Sequence, residues 1–198
     1  MVRANFGSND DMISVGRAMV EQLAAIRRAL VDGAAVQTGG ITITTGLVSG
    51  AATLDIGLPA AADVVDIDLL INPTTDGSDV RMQVGAGGTI FSGATDYSYA
   101  TLKGTTQSTS GGAAFGLMLP AADSLASRVR MTVFRPGQAA RHIITWQGCM
   151  LDSAASLPQA LSGGCRFLLN TDPIDTLRLL ASAGNLTATY SARAVVGS

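Results

Sequence analysis

The chain has 198 residues, a formal net charge of −2, 14% charged residues and a mean hydropathy of +0.33. The near-neutral charge argues against a basic field for nucleic acid or an anionic membrane, and no run of 18 or more apolar residues marks a spanning helix. So few charges in a folded chain point to surface hidden in an oligomer.

Residues 1–11 are polar and do not read as a signal peptide. Ser8 to Asp11 reads as a capping box, and Gly33 as a C-terminal stop. Between them an amphipathic helix is predicted over residues 11–32. Met12, Met19 and Ile26 recur every seven residues; Leu23 and Leu30 follow four after Met19 and Ile26. Met12, Met19, Leu23, Ile26 and Leu30 therefore form an a/d seam, which needs a partner to bury it. The partner is the chain's own β domain, further copies of the helix, or a foreign partner. Residues 1–33 are read as an anchor and oligomerisation segment, and residues 34–198 as a separate β domain.

Strand patterns follow. Ile41–Thr45 is β-branched and Ala52–Leu58 alternates. Val65, Ile67, Leu69 and Ile71 share one face, with Asp66 and Asp68 on the other. Asn72–Asp79 is rich in turn residues, and Val80, Met82 and Val84 read as the returning strand. Gly85–Gly88 is a turn without the spacing or following helix of a phosphate loop. Thr89–Phe91 and Tyr97–Leu102 are short strands. Gly104–Gly112 reads as a small polar loop, and Ala113–Leu119 as an apolar strand ended by Pro120. Residues 128–150 read as a hairpin turning at Pro136-Gly137. Arg166–Leu169 is a short strand. Ile174–Leu180 and Leu186–Val196 read as a second hairpin around residues 182–185. About ten strands at this spacing, with no alternating helices, predict an antiparallel β-sandwich of jelly-roll type.

Residues able to do chemistry are scarce. His142 is the only histidine, and no nucleophile elbow or zinc motif occurs. Asp66 and Asp68 form the one pair at strand spacing that a glycosidase might use; a solvated strand face accounts for them as well. Asp76, Asp79 and Asn72 offer too few oxygens for calcium. Cys149 and Cys165 lack metal-ligand spacing and read as two buried free thiols, with a disulfide as the alternative. The expectation is no catalytic residue, no metal and no cofactor. Tyr97, Tyr99 and Trp146 combine a flat apolar ring with a polar atom, which makes them the candidates for stacking on a sugar; core or interface packing is the simpler explanation. If the domain reads another surface, the contact is expected at exposed loops at the end of the sandwich farthest from the helix, with Asn72–Asp79, Gly104–Gly112 and the Tyr97/Tyr99 region as candidates.

Two segments carry a family resemblance. Gly93-Ala94-Thr95-Asp96-Tyr97-Ser98-Tyr99 resembles a G-x-x-x-Y-x-Y segment of tailed-phage virion proteins. Asp175-Thr176-Leu177-Arg178-Leu179, Gly184-Asn185-Leu186 and Ala188-Thr189-Tyr190 resemble the closing hairpin of their C-terminal sandwich. Here Thr189-Tyr190-Ser191 departs from the usual apolar-Tyr-Gly stop. The resemblance implies a head-fibre, tail-fibre or spike protein of the virion. It also implies a homotrimer, contact with other virion proteins through the N-terminal segment, and possible binding of host-surface glycan. The alternatives are a capsid decoration protein, or a carbohydrate-binding protein or glycan-active enzyme outside a virion.

Overall fold

The computed structural model describes residues 36–38, 41–134, 136–137, 142–151, 157–168 and 173–196, with side chains described between residues 41 and 195. The predicted helix over residues 11–32, with Met12, Met19, Leu23, Ile26 and Leu30, lies outside the described residues. The described residues form fourteen strands and no helix.

Nine strands make the wide sheet: β1 (Val36–Thr38), β2 (Ile41–Ala51), β14 (Leu186–Val196), β4 (Ala62–Pro73), β10 (Ser127–Phe134), β11 (Ile143–Leu151), β12 (Pro158–Phe167), β7 (Tyr97–Lys103) and β8 (Thr106–Ala113), in that spatial order. The narrow sheet runs β3 (Thr53–Gly57), β13 (Thr176–Ala181), β5 (Ser78–Ala86) and β6 (Thr89–Ile90), with β9 (Gly116–Ala122) also paired to β5. Every pairing is antiparallel. The fold is thus mainly β, an antiparallel sandwich.

Period-two alternation builds the core. Val65, Ile67, Leu69 and Ile71 of β4 lie beside Val129, Met131 and Val133 of β10, and all are buried. Leu54 and Ile56 of β3, Leu177 and Leu179 of β13, and Val80, Met82 and Val84 of β5 answer them from the narrow sheet. Burying one such aliphatic side chain is worth about 1.5–3 kcal/mol. The predicted hairpin over 128–150 is present as β10 and β11, in register from Arg128 opposite Cys149 to Phe134 opposite Ile143.

Several strand expectations are corrected. Val80–Val84 does not return along β4; it belongs to the opposite sheet. Likewise β13 and β14 are not a hairpin, because β13 pairs in the narrow sheet and β14 in the wide one. The turns at 74–77 and 182–185 therefore carry the chain between layers, and they lie against each other. Thr74 N–H donates to Asn185 O at 2.8 Å and Asn185 N–H to Thr74 Oγ1 at 2.9 Å. Ala183 N–H donates to Ser78 Oγ at 3.0 Å, and Asp79 N–H to Ser182 Oγ at 2.9 Å. Hydroxyls here satisfy backbone groups that no ladder reaches.

Gly104–Gly112 is not a loop but the turn and most of β8, an edge strand paired to β7. The ladder uses backbone groups alone, so small polar side chains do not prevent it. Gly104, at a φ of 57°, makes the tight turn into it. Pro120 does not end its strand. It sits within β9, which pairs on one side only, where a missing N–H is tolerated. The strand predicted at Arg166–Leu169 starts far earlier, at Pro158, and ends at Phe167.

Candidate functional site

Parity along each strand of the wide sheet decides which side chains meet a ligand. Tyr97, Tyr99 and Trp146 all sit on its inner face, with Phe167 opposite Tyr97, Cys165 opposite Tyr99 and Met131 opposite Trp146. Tyr97 is 1% exposed and Trp146 3%. Neither shows a ring face to solvent, which corrects the expectation that they are available for stacking on a sugar. Tyr97 is a cross-sheet strut. Its hydroxyl accepts from Val84 N–H at 2.8 Å and donates to Phe91 O at 2.7 Å, and its ring packs on Phe167 at 5.4 Å. Burial pushes its phenol well above the ordinary tyrosine range. Tyr99 is half-buried at the sheet margin, stacked on Phe115 at 6.4 Å, and Arg81 lies 4.2 Å over the other ring.

The resembling segments are structural in the same sense. Asp96 holds Gly93 N–H at 2.6 Å just before Tyr97. Asp175 accepts from Gly87 N–H at 2.7 Å, and Arg178 grips Asp55 of β3 through two bonds of 2.7 and 2.6 Å.

The reactive types are dispersed. His142 is buried and stacked on Phe167 at 6.5 Å. Both cysteines are free. Cys165 is buried and its thiol is pushed up to about 12 by desolvation, whereas Cys149 is exposed, which corrects the expectation of two buried thiols. Cys149 lies on the outer face of β11, opposite Arg128 and Ala160, and Cys165 on the inner face of β12. The carboxylates near residues 72–79 hold backbone amides, and Asp79 also pairs with Arg81 at 3.4 Å. Asp76 accepts from Ser124 N–H at 2.6 Å, and hydrogen bonding from the Ser124 side chain and then from this amide lowers its pKa; Asp79 accepts from Ala121 N–H at 3.0 Å. Among the described residues no group of three or more His, Cys, Asp or Glu is placed to hold a metal.

What remains open is the outer face of the wide sheet. There the strands β10, β11, β12 and β7 border a groove of about 630 Å³. Register places its parts. One row runs Thr132, Thr145, Gly164, Ala100, and the next runs Arg130, Gln147, Ser162, Leu102. Gln107 of β8 extends the second row. Asp66 of β4 braces the β10 wall, accepting from Thr132 Oγ1 at 2.7 Å and pairing with Arg130 at 3.6 Å. Asp68 lies two residues on along the same face and is exposed. A second hollow of about 490 Å³ continues past Leu102, Gln147 and Ser162 toward Gly104 and Ala160.

This arrangement supplies amides and hydroxyls that both donate and accept, beside a single guanidinium. Among the described residues that line the groove none is a carboxylate; Asp66 and Asp68 lie beside it on β4. Sequence reasoning missed the groove because its parts come from separate strands.

No family model matches the chain, and no curated protein matches it. Solved structures match weakly. A Caenorhabditis elegans galectin, LEC-6, is 10% identical at a TM-score of 0.33, over 71% of this chain and 89% of that one. A human SPRY domain is 7% identical at a TM-score of 0.33, over 78% and 93%. A GH43 protein from Bacillus licheniformis is 7% identical at a TM-score of 0.30, over 83% and 38%. These likenesses reach layered β-sheets and no further.

Proposed function

We propose that this chain is a non-enzymatic structural component of a tailed-phage virion: a fibre, spike or receptor-binding subunit. It assembles as a homotrimer through its N-terminal segment, which also meets other virion proteins. The jelly-roll-like sandwich is presented outward. One observation carries this reading. The fold spends its chemically capable groups on holding itself together. Tyr97 ties the sheets, Asp96 and Asp175 hold backbone amides, and His142 is buried. What is left outside is a broad sheet face that carries amides and hydroxyls around the β11–β12–β7 groove and exposed apolar side chains such as Leu47, Leu70, Phe134 and Ile143 elsewhere, which suits contact better than turnover. The segments that resemble virion proteins contribute to β7, β13 and β14, which pair within the two sheets. The low charge and the apolar seam at Met12, Met19, Leu23, Ile26 and Leu30 support assembly.

Light scattering on the full chain tests the assembly. A trimer mass is expected, and Leu23→Asp with Ile26→Asp should dissociate it. A 20 kDa species at micromolar concentration in the unaltered chain would count against the proposal. Gold labelling of the parent particle tests location. Label on fibres or spikes is expected, and label spread over the capsid shell would favour a decoration protein. Hydrolysis of host polysaccharide that vanishes in Asp66→Asn or Asp68→Asn would replace both with an enzyme.

A further inference from the structure

The centre of β12 carries two consecutive glycines that face opposite sides of the wide sheet. Gly163 has a packing reason. The Trp146 indole lies against it on the inner face, and a Cβ there would overlap ring carbons and crowd Ala100 O, at 2.7 Å. Gly164 has none. A Cβ on it would point outward and meet only Ile144 O, at 3.8 Å. A glycine inside a strand costs roughly 0.5–1 kcal/mol, and where no neighbour demands it the vacant space itself is the feature to explain.

That space is the floor of the groove, extended in register by Ala100. Above the floor stand Gln147 and Gln107, whose amides donate and accept, and the hydroxyls of Thr145 and Ser162. Leu102 is 42% exposed at the margin and supplies apolar surface. The volume falls within the roughly 300–1,000 Å³ of ligand pockets, and the second hollow prolongs it along the same strands.

We propose that this groove is a binding site for a neutral carbohydrate chain, with one ring lying on the Gly164–Ala100 floor. The inference rests on the reading of the protein as a surface-recognition component. Three features select the ligand class. Mixed donors and acceptors match hydroxyls, each of which also does both. The one charged lining residue, Arg130, is paired with Asp66, so the lining itself gives a polyanion no second cation to meet. And β12 lies between β11 and β7, both of which use its backbone groups. An extended peptide therefore has no free edge here to pair with. Arg130 and Thr132 form one wall, positioned by Asp66. Each site is weak because it is open, and three copies raise the avidity where spacing permits.

The test is a printed array of neutral oligosaccharides (hexose, deoxyhexose and N-acetylhexosamine types) with a uronate series, probed with the full chain. Gly164→Leu fills the groove without touching the interior. Gly57→Leu is the control: Gly57 lies on β3, and its added side chain also meets open space. The unaltered chain and Gly57→Leu should bind the same neutral members, nearly independent of salt. Gly164→Leu should bind about tenfold more weakly or worse, and Gln147→Ala by an intermediate amount. All three variants should melt cooperatively, as the unaltered chain does. Undiminished binding by Gly164→Leu would overturn the groove as the site. Binding confined to uronates and abolished by salt would overturn the neutral class. Adsorption to host cells with no array member bound would overturn this inference and leave the attachment reading standing. Failure of the unaltered chain to adsorb to its host would remove both.

Discussion

The two faces of β7, β11 and β12 make the sharpest contrast in the molecule. On the inner face, Tyr97, Trp146 and Phe167 are buried, and the bare backbone of Gly163 is covered by an indole. On the outer face of the same strands, Thr145, Gln147, Ser162 and Ala100 surround a glycine that nothing covers. The backbone, twist and register are shared, so the difference lies only in which parity carries bulk. The core face works by exclusion of water and close packing. The outer face keeps its hydrogen-bonding groups available.

The largest test of that contrast is a matched pair of substitutions one residue apart. Gly163→Val should destabilise the fold by about 3 kcal/mol, since a branched side chain must displace Trp146. Gly164→Val should change stability by less than about 1 kcal/mol in either direction, and β-propensity favours a gain. Denaturant melts of the two variants decide it; equal losses would mean that the faces are not distinct. Next in size is Tyr97→Phe. It keeps the ring and leaves Val84 N–H and Phe91 O without their partner, at a cost of about 2–3 kcal/mol. A loss below about 0.5 kcal/mol would show that the strut is dispensable.

The thiols read the same contrast chemically. At pH 8 a thiol reagent should titrate Cys149 promptly in the native protein and Cys165 only on unfolding. The Cys165 thiol is raised in the folded state from an ordinary value of 9.0 to about 12. The sign follows: its contribution to stability is complete below about pH 9 and is lost as the pH rises toward 12. Prompt reaction of both thiols would place Cys165 at the surface. The smallest effect belongs to the narrow sheet's outer side. Arg178→Ala removes the bidentate pair with Asp55, where the side chains are 31% and 44% exposed, and should cost no more than about 1 kcal/mol. Added salt should shrink the difference.

Where a strand alternates cleanly, the sequence was a sufficient guide. Val65 to Ile71 and Val129 to Val133 declare their buried faces by period two, and the β10–β11 hairpin joins neighbours in the chain. The same reasoning failed at β5 and β13. A turn rich in Thr, Asp, Ser and Gly serves equally to reverse a strand within one sheet or to carry it to the next. Gly104–Gly112 was opaque for another reason, because a ladder on the sheet edge needs only backbone.

The sequence by itself determined the class of this protein: many short alternating strands, few charges and almost no reactive side chains. Those properties are local, set by propensity and by the apolar count along each segment. Tertiary structure alone decided the rest. It sent Tyr97 and Trp146 inward, exposed Cys149, and split neighbouring strands between two sheets. It also brought Thr132, Gln147, Gly164 and Ala100 from four separate strands into one groove. The physical reason is register. Inter-strand pairing sets which distant residues become neighbours, and each pairing depends on how the two whole layers pack over a common core.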